Sequence, residues 1–277
     1  MKLPSRRIKL LLIEGVEALK IALVQMEVLE KNKAGNVQKA FDLLRQAAPN
    51  CDVAVMPEIW TTGYSLGHLS KEADYLNGTV VNELRQIAAA DSCAIVAGSI
   101  PLRKGDGNVY NTAITIDKNG EIVFCYSKVH LFSMFNEQRF FSPGNDFNVY
   151  GLEGTTCASA ICYDLRFPEL FRHFAMQGAK IIFVPAEWPK IRGGIWDLFI
   201  RARALENHTF IVGVNCAGKF HDQKFYGHSA VISPFGEVLA AGGEEEEIVY
   251  CDIDLSQIEK ANEYMNVLKD VRPELMK

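Results

Sequence analysis

Short apolar runs alternate with longer segments of helical period along most of this chain. The runs are rich in Val, Ile and Ala, which is typical of buried strands, whereas apolar residues in the other segments recur on one helix face. We predict strands at residues 20–26, 52–56, 93–99, 109–116, 121–127, 156–161, 179–184, 209–215, 227–232 and 248–253. We predict helices at residues 33–48, 79–91, 167–177, 195–206 and 255–268. The alternation of the two patterns predicts an α/β protein.

The order of these elements repeats along the chain. Residues 20–127 are predicted to form strand, helix, strand, helix and strand followed by a hairpin, and residues 156–253 follow much the same order. Hairpin turns are predicted at 117–120, which ends in an Asn-Gly pair, and at 233–237. Two similar halves predict two mixed sheets packed face to face with helices outside, an α-β-β-α sandwich. Because no Gly-, Pro- or Ser-rich linker separates the halves, we predict a single domain over residues 19–277.

Residues 1–18 precede the first predicted strand. Their one apolar patch, at 10–13, is shorter than the apolar core of a secretory signal, and no small-residue cleavage site follows it. The codons for residues 14–16 can spell a bacterial ribosome-binding sequence, with Leu19 as a TTG start. Our hypothesis is that residues 1–18 are an N-terminal extension created by a misassigned start site.

Composition narrows the partners that we expect. Hydrophobic residues make up 48% of the chain and charged residues 23%, which is ordinary for a globular domain. The formal net charge is −5 and the basic residues are scattered, so we expect no nucleic-acid partner. No apolar stretch approaches the roughly 20 residues that a membrane span needs, so we expect no membrane partner.

The cysteines bear on the cellular compartment and on metal binding. Seven are present, an odd number at wide spacings, which is typical of free thiols rather than a disulfide framework. Free thiols persist in reducing compartments, so we predict a cytoplasmic protein. No CxxC pair occurs, so a structural zinc site has no support.

Several motifs that would assign a reaction are absent. The chain has no GxGxxG after a predicted strand, no GxxxxGK[ST], no HExxH and no GxSxG. Dinucleotide binding, P-loop chemistry, zincin-type hydrolysis and the α/β-hydrolase reaction therefore lose their main support in the sequence.

Cys162 ends a predicted strand and precedes a helix that is predicted to begin near Pro168. Open α/β sheets bind ligands at the carboxyl ends of their strands. The positive end of a helix also favours a thiolate over a thiol. The alternative is a buried, inert cysteine, which is the commonest fate of a free thiol.

Glu58 and Lys128 also follow apolar strands, and each alone would be an ordinary strand-end charge. Together with Cys162 they meet the needs of amide hydrolysis. A carboxylate takes the thiol proton, an ammonium stabilises the developing oxyanion, and the carboxyl returns the proton to the leaving amine. His130 is the nearest candidate for a Cys-His pair, but the sequence identifies no third group to orient it.

Three segments resemble the signature motifs of the nitrilase superfamily of carbon–nitrogen hydrolases, in the expected order. They are Met-Pro-Glu at 56–58, Ser-Lys-Val-His-Leu-Phe at 127–132 and Ile-Cys-Tyr-Asp-Leu-Arg-Phe-Pro-Glu at 161–169. The resemblance implies Glu58 as general base, Lys128 as oxyanion stabiliser and Cys162 as nucleophile. It also implies that the backbone N–H of Tyr163 completes the oxyanion hole and that Glu137 lies beside the lysine. It implies the α-β-β-α fold, no cofactor or metal, and pairing into homodimers or larger assemblies.

Substrate choice is suggested by a second resemblance within that family. The segment 184–189, Val-Pro-Ala-Glu-Trp-Pro, with Trp196 and residues 201–207, is similar to ω-amidases, which remove ammonia from the distal amide of 2-oxo-dicarboxylic monoamides. An anionic substrate needs a cation, which Arg166 supplies unless it is a structural salt-bridge partner. The remaining predicted substrate-binding residues are Tyr64, Phe132, Tyr163, Glu187 and Trp188.

Other functions remain open at this point. N-carbamoyl amino-acid amidohydrolases, nitrilases and aliphatic amidases share the Glu-Lys-Cys triad, so the triad indicates the chemistry and not the substrate. A non-enzymatic binding member of the fold is a further alternative. A metal-dependent hydrolase would draw on the six histidines, which show no established ligand spacing.

Overall fold

The computed structural model describes residues 18–272 and residue 274. Its strands are β1 (Ala18–Gln25), β2 (Val53–Val55), β3 (Ala94–Arg103), β4 (Val109–Ile116), β5 (Ile122–Ser127), β6 (Tyr150–Leu152), β7 (Thr155–Ser159), β8 (Ile181–Ala186), β9 (Phe210–Asn215), β10 (Lys219–Phe220), β11 (Gln223–Lys224), β12 (Ala230–Ile232), β13 (Val238–Ala241) and β14 (Glu247–Asp254). Its α-helices are α1 (Lys33–Ala47), α2 (Leu69–Glu72), α3 (Thr79–Asp91), α4 (Pro168–Met176), α5 (Gly193–Asn207) and α6 (Ser256–Tyr264).

Two six-stranded mixed sheets form the centre of the molecule. The first has the order β14-β1-β2-β3-β4-β5 and the second β13-β12-β9-β8-β7-β6, while β10 and β11 form a separate small hairpin. In each sheet three parallel strands are followed by two antiparallel ones, β1-β2-β3 then β4-β5 and β7-β8-β9 then β12-β13. The predicted internal repeat is therefore present, and the predicted α-β-β-α sandwich is confirmed.

Alternation along the strands explains the layers. In β1, Ile21 and Leu23 belong to an apolar cluster that joins the two sheets, and residues such as Phe183 and Val212 enter it from the second sheet. Their neighbours Ala22 and Val24 pack instead with the helices of the first half. A matching cluster packs α4 and α5 on the second sheet. Strands covered on both faces are apolar throughout, which is why their sequences read as short continuous apolar runs.

The predicted helix at 33–48 packs as its apolar stripe indicated. Ala40, Leu44 and Ala48 are buried in the first helix-facing cluster, and Val37 and Phe41 pack against it at partial exposure. The helix itself ends at Ala47, and a 3-10 turn continues through Asn50.

One part of the predicted repeat is wrong. The strand at 248–253 was assigned to the second half, but β14 pairs antiparallel with β1 and so belongs to the first sheet. The reason is that β13 already forms the end of the second sheet beside β12, so the chain crosses to the open side of β1. The elements absent from the predictions, β6, β10, β11, β13 and α2, are all short.

The hypothesis of an N-terminal extension falls almost wholly on residues 1–17, which lie outside the described residues. The first described residue, Ala18, already pairs with Asp254 as part of β1. The assignment of a single domain over 19–277 stays a prediction.

Candidate active site

Four strands end where predicted catalytic and substrate-binding side chains lie. Glu58 follows β2 and Lys128 follows β5 in the first sheet, and Cys162 follows β7 and Glu187 follows β8 in the second. Strand β5 runs in the same direction as β2 because one antiparallel strand, β4, separates it from β3. The topology therefore brings carboxyl ends of both sheets to one place, which is where α/β folds form their sites.

Glu58 is fully buried, and three donors hold its two carboxyl oxygens. Its Oε1 accepts hydrogen bonds from Asn111 Nδ2 and Lys128 Nζ, both at 2.8 Å. Its Oε2 accepts from the backbone N–H of Glu187 at 3.0 Å. Burial raises the pKa of Glu58 above its ordinary value, and the lysine opposes this shift. A carboxyl of this kind is suited to take up and return a proton.

A glycine makes room for the Glu58 segment. Gly98 lies in an irregular stretch of β3 with φ of +56°, and a Cβ at that position would stand 1.9 Å from the carbonyl oxygen of Pro57. The next residue, Ser99, donates its N–H to the Pro57 carbonyl at 3.1 Å and accepts from the N–H of Ile59 at 3.0 Å. Only glycine allows both this backbone conformation and this close approach.

Lys128 is also fully buried and lies between two carboxyl groups. Its Nζ donates to Glu58 Oε1 and to Glu137 Oε1, each at 2.8 Å. Glu137 is fixed in turn by the hydroxyl of Tyr64 and by the backbone N–H of Phe132, both at 2.8 Å. Burial alone lowers the pKa of Lys128, but Glu137 and Glu58 outweigh it, so the pKa lies well above its ordinary value. Lys128 is therefore in its ammonium form beside the thiol.

Cys162 is 7% exposed and has a left-handed backbone conformation with φ of +46°. Strain of this kind in a non-glycine residue costs on the order of 1–3 kcal/mol and is concentrated at functional sites. The thiol lies beside the Glu58 carboxyl group. The cysteine thus presents its sulfur at the floor of a cavity, beside a proton acceptor.

The expected preference for a thiolate in the resting site is wrong. Burial raises the pKa of Cys162 well above its ordinary value, Glu58 raises it further, and Lys128 opposes them. Helix α4 does begin at Pro168 as predicted, but Cys162 opens a separate 3-10 helix, Cys162–Arg166, and so does not lie at the α-helix terminus. The sulfur rests as a thiol and requires a base at the moment of attack.

Asp164 ties the cysteine segment to the lysine segment. Its Oδ2 accepts from the N–H of Ile161 at 2.8 Å and from the hydroxyl of Tyr126 at 2.7 Å. Its Oδ1 accepts from the backbone N–H of His130 at 3.1 Å and from the ring Nδ1–H of His130 at 2.8 Å. The His130 ring also stacks on Phe167 at 3.5 Å between centroids. These contacts assign His130 a structural place and leave the Cys-His alternative without geometric support.

Arg203 of α5 supports the 3-10 helix from the side. This buried arginine donates from Nε and from a terminal nitrogen to the carbonyl of Leu165, at 3.0 and 2.7 Å. The motif at 201–207 thus contains a residue that holds the cysteine turn in place.

A pocket lined by Cys162 opens beside the catalytic cluster. Arg166 and Arg192 both line it, and neither has a carboxylate partner within the part of the chain that the structure describes. Arg166 lies over the rings of Trp188 and Phe199, at 5.6 and 5.3 Å from their centroids. Arg192 lies 5.5 Å from the ring centroid of Phe132 and donates to Met134 Sδ at 3.3 Å. Two uncompensated guanidinium groups favour an anionic ligand.

Comparison with known proteins decides the family. The sequence profile of carbon–nitrogen hydrolases matches residues 20–263. This chain is a member of the carbon–nitrogen hydrolase family. It is 38% identical to the 2-oxoglutaramate amidase of Bacillus subtilis (strain 168) over 92% of this chain and 98% of that protein. It is 30% identical to the omega-amidase NIT2 of Homo sapiens over 92% of this chain and 96% of that protein.

A solved structure of the same family provides a chemical parallel. A variant of the amidase from Nesterenkonia sp. AN1 carries the acetamide moiety of fluoroacetamide, covalently added at its active-site cysteine. The two chains are 26% identical with a TM-score of 0.82, covering 96% of this chain and 97% of that one. As a carbon–nitrogen hydrolase, this chain is an enzyme of amide C–N bond hydrolysis.

The structure brings every predicted site residue of this carbon–nitrogen hydrolase to one place. Glu58, Lys128, Glu137 and Cys162 form the buried cluster. The predicted substrate-binding residues Tyr64, Phe132, Tyr163, Arg166, Glu187 and Trp188 all line the cavity above it. The salt-bridge alternative for Arg166 finds no acidic partner among the described residues.

Five residues of the site are absent from the predictions made from the sequence. Asn111 lies in the interior of β4 and Asp164 within the cysteine motif, and nothing in the local pattern distinguishes either as a contact of the site. Phe135, Pro189 and Arg192 line the cavity. Pro189 and Arg192 follow the predicted Trp188 closely in the same segment, so the sequence did hold a signal for them.

The described residues bear on metal binding and on membrane insertion. Across residues 18–272 and 274, no three side chains of His, Cys, Asp or Glu are grouped so as to hold a metal ion. Among the same residues, none of the helices has both the length and the apolar character that crossing a membrane requires.

Proposed function

We propose that this enzyme hydrolyses the distal carboxamide of a 2-oxo-dicarboxylic acid monoamide and releases ammonia, with Cys162 as nucleophile. The observation that carries the proposal is the combination of the buried Glu58–Lys128–Cys162 cluster with a cavity bearing two guanidinium groups that have no acidic partner. The similarity to the 2-oxoglutaramate amidase of Bacillus subtilis supports the same substrate class.

In the first half of the reaction Glu58 takes the proton of the Cys162 thiol as the sulfur attacks the amide carbon. The ammonium of Lys128 and the backbone N–H of Tyr163 stabilise the oxyanion of the tetrahedral intermediate. Glu58 then returns the proton to the leaving nitrogen, the C–N bond breaks, and ammonia departs. A thioester to Cys162 remains.

In the second half water attacks the thioester with Glu58 as base. The C–S bond breaks, the carboxylic acid product leaves, and Glu58 returns the proton to the sulfur. Glu137 holds Lys128 in position throughout, because it accepts one of the three hydrogens of the ammonium while Glu58 accepts another. One hydrogen of the ammonium remains to stabilise the oxyanion.

The enzyme distinguishes between amides by the end of the substrate that lies opposite the amide group. Arg166 and Arg192 bind its carboxylate, and each charge-assisted hydrogen bond contributes about 1.5–3 kcal/mol. The aromatic rings that pack under both guanidinium groups hold them in the cavity. A neutral aliphatic amide or nitrile would leave both charges without a partner.

The test is ammonia release from a panel of small substrates by wild type and by Cys162→Ala. The panel contains 2-oxoglutaramate, 2-oxosuccinamate, propionamide, an N-carbamoyl amino acid and a nitrile. We expect the two 2-oxo monoamides to give the highest kcat/KM and Cys162→Ala to be inactive on all. Faster turnover of the N-carbamoyl compound or the nitrile would contradict the substrate assignment, and activity in Cys162→Ala would contradict the mechanism.

We also propose a cytoplasmic homodimer. All seven cysteines are free, which fits a reducing compartment. Helix α5 exposes Ile195, Leu198 and Leu205, an apolar surface that fits a second copy of the chain. Light scattering on wild type and Leu198→Asp tests this: we expect a dimer that the substitution weakens, and a monomeric wild type would contradict it.

A further inference from the structure

Glu187 is a buried carboxyl group whose hydrogen bonding is incomplete. It follows β8, is 1% exposed, and lines the cavity together with Cys162. Its Oε1 lies 3.6 Å from the sulfur of Cys216, whose S–H donates to it. Its Oε2 has no hydrogen-bond partner among the described residues. A buried carboxyl oxygen without a partner is costly, so a partner that arrives with the substrate is the natural explanation.

The groups that face Glu187 favour its uncharged form. Glu58 approaches from the end of β2, Glu137 from its 3-10 turn, Cys216 from the end of β9, and Lys128 from the end of β5. Burial raises the pKa of Glu187 well above its ordinary value and Glu58 adds to the shift, while the Cys216 thiol and Lys128 only partly oppose it. Unlike Glu58, this carboxyl makes no ion pair with any residue that the structure describes.

The contacts of the two carboxyl oxygens favour Oε2 as the place of the proton. The Cys216 sulfur lies 3.6 Å from Oε1 and 3.7 Å from the carbonyl oxygen of Glu58, so its S–H is shared between two acceptors, whereas Oε2 has no hydrogen-bond partner among the described residues. With the proton on Oε2, Glu187 is an O–H donor, and the residue lines the cavity. The amide end of the substrate is held by the catalytic cluster and its carboxylate by the two arginines. The acceptor left without a partner in a 2-oxo monoamide is the 2-oxo oxygen.

We propose that Glu187, as an uncharged carboxylic acid, donates a hydrogen bond from Oε2 to the 2-oxo oxygen of the substrate. This inference rests on the proposed function and adds the residue that recognises the 2-oxo group. A 2-amino acid amide such as glutamine carries an ammonium at that carbon, which can neither accept this hydrogen bond nor approach the two guanidinium groups without repulsion. Glu187 thereby separates 2-oxo acids from the corresponding amino acids.

The experiment compares two substrates that differ only at this group, 2-oxoglutaramate and the monoamide of glutaric acid. The quantity measured is the ratio of kcat/KM for the first to kcat/KM for the second, in wild type, Glu187→Met and Glu187→Gln. We expect Glu187→Met to lower the ratio about 10- to 100-fold, the loss typical of one buried hydrogen bond. We expect Glu187→Gln to restore most of it, because the amide N–H₂ can donate from the place of Oε2. The exposed Glu259→Met is the matched control and should leave the ratio unchanged.

A structural role would give a different result. If Glu187 only supports the fold, both substrates lose activity alike, the ratio stays constant, and the inference is overturned. A ratio that falls as far in Glu187→Gln as in Glu187→Met also overturns it. Calorimetric binding of both monoamides to Cys162→Ala, with and without Glu187→Met, gives the same ratio from Kd values and needs no turnover. Thermal unfolding of each variant identifies any that are misfolded. If Glu187→Met is misfolded, the test rests on Glu187→Gln.

Failure of this inference and failure of the proposed function are distinguishable. A wild type that hydrolyses 2-oxoglutaramate with a ratio that no Glu187 variant alters refutes only the role of Glu187. A wild type that prefers the glutaric monoamide, or hydrolyses neither, refutes the proposed function and the inference with it. Infrared difference spectroscopy of wild type against Glu187→Gln reports the proton directly. We expect the carbonyl stretching band of a protonated carboxylic acid in wild type, and we expect this band to be lost in Glu187→Gln. Its absence from wild type contradicts the proposal.

Discussion

Glu58 and Glu187 occupy equivalent places in the two halves of the molecule, yet their surroundings give them different chemistry. Each follows the second parallel strand of its half, β2 or β8, and each is buried. Glu58 receives a lysine ammonium, an asparagine amide and a backbone N–H. Within the part of the chain that the structure describes, Glu187 has a thiol beside one carboxyl oxygen and no hydrogen-bond donor at the other. One repeated position therefore provides a proton-transfer group in the first sheet and an uncharged donor in the second.

The comparison shows how a duplicated architecture is divided between tasks. The first sheet contributes Glu58 and Lys128, whose charges compensate each other. The second contributes Cys162 and Glu187, and the segments that follow β7 and β8 carry the two arginines of the cavity. Two carboxyl groups in different environments differ in protonation state, and enzymes commonly use this difference to give them distinct roles.

The largest effect is expected for Glu58→Gln. Glutamine keeps the shape and some of the hydrogen bonds but cannot take the thiol proton, so kcat/KM for 2-oxoglutaramate should fall about a thousandfold. Glu187→Gln should cause a much smaller loss, because the amide still donates. Steady-state ammonia release measures both, and circular dichroism checks the fold. A greater loss in Glu187→Gln than in Glu58→Gln would reverse the two assignments.

The next largest effect is expected for Arg192→Met, which tests whether the second-sheet side of the site binds the carboxylate. Loss of one charge-assisted hydrogen bond should raise KM for 2-oxoglutaramate about 10- to 100-fold, while propionamide is affected much less. Lys190→Met removes a neighbouring cation that is paired with Glu244 outside the cavity and serves as the control. Equal losses on both substrates would show that Arg192 acts through the fold rather than through charge.

A smaller effect, on pH dependence, is expected from Asn111. Glu58 must be ionised to accept the thiol proton, so kcat/KM falls as pH falls through its pKa, which lies above the ordinary range. The Asn111 amide stabilises the carboxylate, so Asn111→Ala should raise the pKa of Glu58 and move the acid limb to higher pH. Asn111→Asp adds a like charge and should move it further. A limb that stays in place or moves to lower pH in both variants would contradict this role.

Much of this arrangement could be predicted from the sequence because its signals are local. Buried parallel strands are apolar throughout, so a charged residue shortly after such a run, as at Glu58, is conspicuous. The strand that precedes Cys162 and the helix that begins at Pro168 also leave a recognisable pattern. The edge strands β6 and β13 are absent from the predictions because three and four residues are too few to show a period.

The remaining features depend on contacts between distant segments. Asn111 is one of several polar residues in β4, and only the pairing of β4 with β3 brings it to Glu58. The pKa of Cys162 was expected to be low from the nearby helix, but burial and the neighbouring carboxyl decide it. The pKa of a buried group depends on all the groups that surround it in three dimensions, and the local sequence does not show which groups these are.

The central claim, that amide cleavage proceeds through a thioester on Cys162, is tested most directly by rapid acid quench of wild type with 2-oxoglutaramate. Peptide mapping by mass spectrometry then locates the acyl group, and ammonia is measured in the same samples from wild type and Cys162→Ala. The account predicts an acyl group on the peptide that contains Cys162, formed together with ammonia, and neither adduct nor ammonia from Cys162→Ala. An acyl group on another residue, or ammonia release that persists in Cys162→Ala, would contradict it.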